Sequence, residues 1–455
     1  MALLTLASSP DTESVLLIVL IQLCVIIAAA RLFAWLFRKL NQPAVVGEIL
    51  AGLILGPSLF GRFFPDAFHY VFDPSVGPIF RVLSQLGLVF LLFLIGLEFD
   101  FKHLKTSGRS SLAVSIAGIL LPFALGYGLA HWMHPHLEQV VKEVTGADGA
   151  TETVAHTVPF TGFALFMGTA MSITAIPILG RIMIELNINR SRLGAMTITA
   201  AAVDDAAGWI ILATVSALVK SQFVPVNTLK MLGETVAFAL LMVFAVRPLM
   251  VRFIRFTVRK PGADLGLTPL AVTIIVVFLC AIATNLIGIF AIFGAFMLGA
   301  TLSSEEAFRE AIARSLRPLV TAFFLPIFFT YTGLHTDIGS LHGSLMWLFA
   351  LAVSAAAIIG KFGGCTLAAR LTGNSTRESA CIGVMMNTRA LMELIVINVG
   401  YDLGVIPKSV FCMLVLMAVL TTIMTTPILL RFAKGTELEP LIAQSDFRRQ
   451  ATTST

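Results

Sequence analysis

Residues 90–100 read FLLFLIGLEFD, and residues 324–337 read FLPIFFTYTGLHTD. Both apolar runs close on Gly-Leu-x-x-Asp, at residues 96–100 and 333–337. Two further pairs lie around them. GEILAG at 47–52 matches the glycine spacing of GAFMLG at 294–299, and GTAMSITA at 168–175 echoes GVMMNTRA at 383–390. Numbered along the chain, the apolar spans carrying these pairs are 3 and 10, 2 and 9, and 5 and 12. The offset is seven each time. Seven is odd, so related spans enter a membrane from opposite sides. That is an inverted-topology repeat with span 7 as linker, an organisation typical of secondary transporters.

Composition supports a membrane reading. The 455 residues are 57% hydrophobic and 13% charged, against roughly 25% charged in a soluble domain. Many apolar runs reach the length that crosses about 30 Å of hydrocarbon. The expected fold is an all-α polytopic membrane protein with thirteen transmembrane helices: 15–37, 43–61, 79–99, 110–133, 158–182, 193–218, 228–254, 268–287, 289–303, 318–334, 344–370, 380–400 and 407–431. The first run, from Val15 past Phe33, is too long for a signal-peptide core and shows no cleavage site, so it counts as a span. Cys24, Cys280, Cys365, Cys381 and Cys412 all fall in apolar runs without metal-ligand spacing, and read as small packing residues.

Charge placement orients the map. With the N-terminus outside, and basic residues within a few positions of a span end counted with the adjoining loop, the cytoplasmic loops and C-terminal tail hold 21 of the 31 basic residues and the outer loops hold six, as the positive-inside rule requires. The other four, Arg31, Arg247, Lys361 and Arg389, fall inside spans. The long outer loop at 135–157 follows His131, His134 and begins near His136, whose grouping reads as interfacial anchoring rather than a metal site. The polar tail after Arg431 is short, so no nucleotide-binding or other regulatory domain is expected there.

The chemistry lies in charges stranded in apolar runs. Asp204 and Asp205 sit side by side in TAAAVDDAAGWIILATV, residues 199–215. A carboxylate at mid-membrane costs roughly 2.5–3.5 kcal/mol on insertion scales. Adjacent helical residues point about 100° apart, so the two acids serve different partners. Lys361, central in span 11, needs an acid nearby, and either aspartate qualifies. Arg389 and Glu393, at i and i+4, can pair on one face of span 12. Asn387 and Thr388 beside them suggest a helix break. In span 5, Pro177 withholds a hydrogen bond from residue 173. With Ser172 and Thr174 it reads as an unwound segment, of the kind that brings carbonyls to the midplane as cation ligands. Glu48 in span 2 either lines the cavity or pairs locally. Asp100 and Asp337 are interfacial.

PAVVGEILAGLILGPSLFG (43–61), SITAIP (172–177), VDDAAGW (203–209), the mid-span Lys361 and NTRALMELIVINVGYDLGVI (387–406) together resemble the monovalent cation:proton antiporter-2 family of the sodium/proton exchanger superfamily. The resemblance covers about residues 15–432. It implies two discontinuous helices, spans 5 and 12, crossing at mid-membrane. It implies a core bundle of spans 4–6 (110–218) and 11–13 (344–431). This would move against a scaffold of spans 1–3 (15–105) and 8–10 (268–334), with linker span 7 (228–254) and tail 432–455. The scaffold would form a homodimer. Asp205 would be the shared cation and proton site, and so the residue that holds the metal cation, while Asp204 would pair with Lys361. An aspartate pair leans towards electrogenic exchange. Ala390 stands where many relatives have glycine.

The expected function is exchange of Na⁺ or K⁺ for H⁺ at the plasma membrane. Proton and cation compete for Asp205, with Asp204, Thr174 and Ser172 nearby. The expectation includes no enzyme activity, no cofactor beyond the transported ions and no nucleic-acid partner. One rival is a symporter or channel for an organic anion, with Lys361 and Arg389 as ligands. An intramembrane aspartyl protease is disfavoured. Its aspartates face each other from different helices, one within Gly-x-Gly-Asp, and that motif is absent.

Overall fold

The computed structural model describes residues 12–445, apart from positions 41, 43, 99–107, 138–139, 146–150, 157, 175, 190, 222–223, 258–264 and 390. Among the described residues, ten helices are long and apolar enough to cross a membrane. They become eleven when the bent pair Thr376–Met386 and Leu391–Asp402, inclined at 44°, counts as one span. Two shorter apolar helices, Phe160–Ser172 and Ala291–Leu302, lie among them. A helix of twelve residues such as Ala291–Leu302 is only about 18 Å long, short of the hydrocarbon thickness.

Local sequence sets the breaks. Phe160–Ser172 stops at Ile173, whose backbone is extended, and helix resumes at Ile176. Pro177 is then the second residue of the new helix, where its missing N–H breaks no intrahelical bond. Ser191 caps the helix Arg192–Lys220 by accepting from the Gly194 amide. Ser375 and Glu378 form a capping box at the start of Thr376–Met386, satisfying two orphan donors.

Among the described residues, three stretches have π-helical geometry: Met242–Val246, Val320–Phe324 and Ile359–Gly363. Two end just before a proline, Pro248 and Pro326, where a shift in hydrogen-bond register lets the helix pass a residue that cannot donate. The third carries Lys361 among Gly360, Gly363 and Gly364.

Two regions differ from the sequence reading. Span 10 was expected from residue 318, but helix begins at Glu306. Its first turns look like a loop because of Arg309, Glu310, Arg314 and Arg317. Phe308, Ala311, Ile312 and Leu316 are nevertheless buried, a helical apolar stripe. The long loop after His136 contains a hairpin, Val140–Thr145 antiparallel to Thr151–His156, built from segments rich in Val and Thr.

The glycines of the repeated motifs bring backbones into contact. A Cβ on Gly333 would lie 2.1 Å from the Gly52 carbonyl carbon, and one on Gly299 would lie 2.2 Å from the Phe93 carbonyl oxygen. Gly96 faces Phe296 and Gly299 in turn. Gly47 abuts the Phe33 carbonyl and Gly294 the Cys280 carbonyl. Each look-alike thus meets the other motif's counterpart: 47–52 packs on 333, and 294–299 on 96. Because the obstructing atoms are backbone, they cannot rotate aside. Gly299→Ala is expected to cost about 3 kcal/mol, the upper part of the overpacking range. A Gly299→Ala protein that melts with wild type in detergent would contradict this close approach.

Candidate functional site

Five charged side chains are buried together in the membrane region: Asp204, Asp205, Lys361, Arg389 and Glu393, none more than 2% exposed. Three are acids and two are bases. The Lys361 ammonium lies 2.6 Å from Asp204 Oδ2. Arg389 lies 3.4 Å from Glu393 Oε1. Asp205 is the acid left over. It makes no ion pair among the described residues, and its Oδ1 is buried without a hydrogen-bond partner.

Lys361 spends all three ammonium protons inside the protein. Besides Asp204, it donates to the Gly118 carbonyl at 2.8 Å and to the Ser172 carbonyl. The Gly118 acceptor has a covalent origin. Pro122, four residues on within Arg109–Met133, has no N–H, so the Gly118 carbonyl lacks its helical donor. Small residues let the backbones approach: a Cβ on Gly360 would lie 2.9 Å from Pro122 Cα, and one on Gly364 would lie 3.1 Å from the Ala117 carbonyl.

The interrupted helices meet these charges end-on. The carbonyl end of Phe160–Ser172 carries partial negative charge. Arg389 donates to the Met171 carbonyl at 2.6 Å and to that of Ala170 at 3.2 Å, and Lys361 caps Ser172. Two cations therefore neutralise one helix end. Glu393 stands in the first turn of Leu391–Asp402, where the dipole favours an acid. Thr174, in the gap of the first broken pair, donates to Asp204 Oδ2 and lies 3.2 Å from the Met386 carbonyl, the last of Thr376–Met386. Thr174 thus links the two breaks.

Other candidates sit as follows. Ser172 contributes its carbonyl, while its hydroxyl bonds to the Thr169 carbonyl at 3.0 Å. Asn387 caps the end of Thr376–Met386 with Oδ1 buried and unpartnered, and lines a cleft between the last three spans. Glu48 has Arg31 3.5 Å away, and Arg31 also donates to the Thr321 carbonyl. Asp337 pairs with Lys408 at 3.1 Å, and Asp100 lies outside the described residues. His134 bonds the Val158 carbonyl at 2.8 Å and packs on Phe160. His136 packs on Phe349.

Some contributors escaped the sequence reading. The Gly118, Ala170, Met171 and Met386 carbonyls have no side-chain signature, though Pro122 announces the first of them. Trp209, one turn beyond Asp205, stacks edge-on to Phe293 and tilts over Phe296. This joins the aspartate helix to Ala291–Leu302 across an apolar cavity of about 440 Å³. The indole N–H is buried and unpartnered.

Comparison with known proteins places this arrangement in context. The family described as sodium/hydrogen exchanger, transmembrane, matches residues 25–432. The Na(+)/H(+) antiporter NhaS4 of Synechocystis sp. is 37% identical over 423 residues, covering 92% of this chain and 98% of that protein. Cation/H(+) antiporter 17 of Arabidopsis thaliana is 35% identical over 424 residues, 93% of this chain. The chain spans 49% of that plant relative's length. The solved structure of the sodium proton antiporter MjNhaP1 from Methanocaldococcus jannaschii at pH 8 superposes with a TM-score of 0.62 over 95% of this chain and 99% of that one. At 15% identity, this last likeness is one of fold.

Proposed function

Because this chain belongs to the sodium/hydrogen exchanger family, we propose that it exchanges Na⁺ or K⁺ for H⁺ by alternating access, with Asp205 as the site both ions share. One observation carries the reading. Of the five charges buried together at the broken helices, four are paired among the described residues, and the unpaired one is an acid. A bare carboxylate in a dry site is unfavourable. It is offset by a proton or by a metal cation, so loading one requires release of the other. The work is transport and involves no catalysis.

Asp204 and Lys361 hold the bundle beside the site, with Thr174 and Ser172 at its edge, while Arg389 and Glu393 balance the helix ends. Lys361 has no proton left for a substrate anion, which argues against an organic-anion symporter. Thirteen spans are proposed, the two short helices included, with spans 5 and 12 crossing at the midplane. The exchanged glycine contacts support an inverted repeat, with spans 4–6 and 11–13 as the moving core and spans 1–3 and 8–10 as a scaffold that pairs into a homodimer. The basic loops favour an N-terminus outside and a C-terminus inside at the plasma membrane.

The direct test uses proteoliposomes with an imposed pH gradient, to which Na⁺, K⁺ and Li⁺ are added in turn. Exchange predicts that at least one cation dissipates the gradient. A gradient that none of them dissipates refutes the reading.

A further inference from the structure

A second cavity, of about 460 Å³, lies between the last three spans, within the size range of roughly 300–1,000 Å³ typical of small-ligand sites. Ile358 and Phe362 form one wall, Met424 and Ile428 another, and Asn387 lies at the third. Arg431 also lines it, from the last turn of Lys408–Phe432. The last turn of a 25-residue apolar helix lies where hydrocarbon gives way to headgroups. Among the described residues Arg431 makes no ion pair, and Arg389 and Lys361 are already engaged.

We propose that this cleft holds one acyl chain of an anionic phospholipid, with the lipid phosphate on Arg431. The match is one of charge and depth together. A guanidinium without an ion pair among the described residues, at headgroup level, calls for an anion, and the walls inward from it are mostly apolar, with Thr425 and Asn387 the polar exceptions. A free inorganic anion would satisfy Arg431 and leave Ile358, Phe362, Met424 and Ile428 facing water, whereas an acyl chain covers them. Met424, Ile428 and Arg431 follow helical spacing on one face, so a chain anchored at Arg431 runs along that face towards Asn387. There it packs against Phe362, in the π-helical stretch that carries Lys361. The inference is independent of the transported ion.

The test is native mass spectrometry and thermal melting of the full chain. The detergent-purified protein is titrated with phosphatidylglycerol or with phosphatidylcholine of the same acyl chains. Wild type is expected to retain one phosphatidylglycerol per chain in preference to phosphatidylcholine, with a higher melting temperature. Arg431→Gln, a change on an exposed side chain, is expected to reduce that preference about fivefold, the effect of one interfacial cation. Met424→Trp fills the cleft and is expected to abolish retention of both lipids. Sodium phosphate alone is expected to leave melting unchanged. Equal preference in wild type and Arg431→Gln overturns the proposal. So does a melting shift from sodium phosphate matching that from lipid, which would identify a free-anion site. Retention of lipid by a folded Met424→Trp protein places the lipid elsewhere and overturns it as well.

Discussion

Asp205→Asn is expected to reduce cation-dependent dissipation of a pH gradient to the level of protein-free vesicles while the protein stays folded. Asparagine keeps the shape of aspartate and removes its ability to hold a proton or balance a metal cation. The other four charges of the cluster pair with each other, and the remaining buried acid, Glu48, has Arg31 beside it, so none of them is free to take over. The stability half of the prediction follows from the same geometry. Asp205 makes no ion pair among the described residues and its Oδ1 has no donor. Removing an unpaired buried charge relieves a desolvation cost, so Asp205→Asn should melt at or above the wild-type temperature. Exchange at the wild-type rate in Asp205→Asn would falsify the shared-site assignment. In wild type, competition also means that the cation concentration for half-maximal exchange rises as pH falls. A half-saturation that does not change with pH would separate the two ions onto different sites.

Lys361→Ala has the opposite signature, with a large loss of stability. It strips the partner from Asp204, which is fully buried, and leaves the Gly118 and Ser172 carbonyls without their donor. Breaking one side of a buried ion pair costs about 3–5 kcal/mol. Removing both charges, in Lys361→Met with Asp204→Asn, should recover much of that loss, because no uncompensated charge remains. Thermal melting of Lys361→Met, Asp204→Asn and the double variant in detergent gives the coupling directly. Unchanged melting of Lys361→Ala would show that the contact carries no stability.

Much of this molecule was legible from its sequence, for particular reasons. Long apolar runs mark helices because backbone polar groups must be satisfied in hydrocarbon. Where that rule weakens, the reading slipped. Glu306–Leu319 is a charged amphipathic helix, and its polar face hid a buried stripe. The hairpin after His136 rests on short strands outside the apolar runs. Buried charges were conspicuous because Asp204, Asp205, Lys361, Arg389 and Glu393 are out of place in apolar sequence. Their partners were less visible. Adjacency sets only the angle between the two aspartates, so residue spacing alone did not say which of them turns to Lys361. Ser172 stood out for its hydroxyl, yet the atom that meets Lys361 is its carbonyl. Backbone acceptors have no residue code, and only a proline four positions later gives one away.

That proline has a further consequence. Pro122 makes the Gly118 carbonyl a permanent dipole aimed at an ammonium, and a dipole does not titrate. Of the three acceptors around Lys361, two are backbone carbonyls, those of Gly118 and Ser172, and only one is a carboxylate. The nitrogen therefore acts as a rivet through Arg109–Met133, Phe160–Ser172, Arg192–Lys220 and its own helix. In the proposed exchange these four segments would move as one body, because a single nitrogen on one of them bonds to the other three.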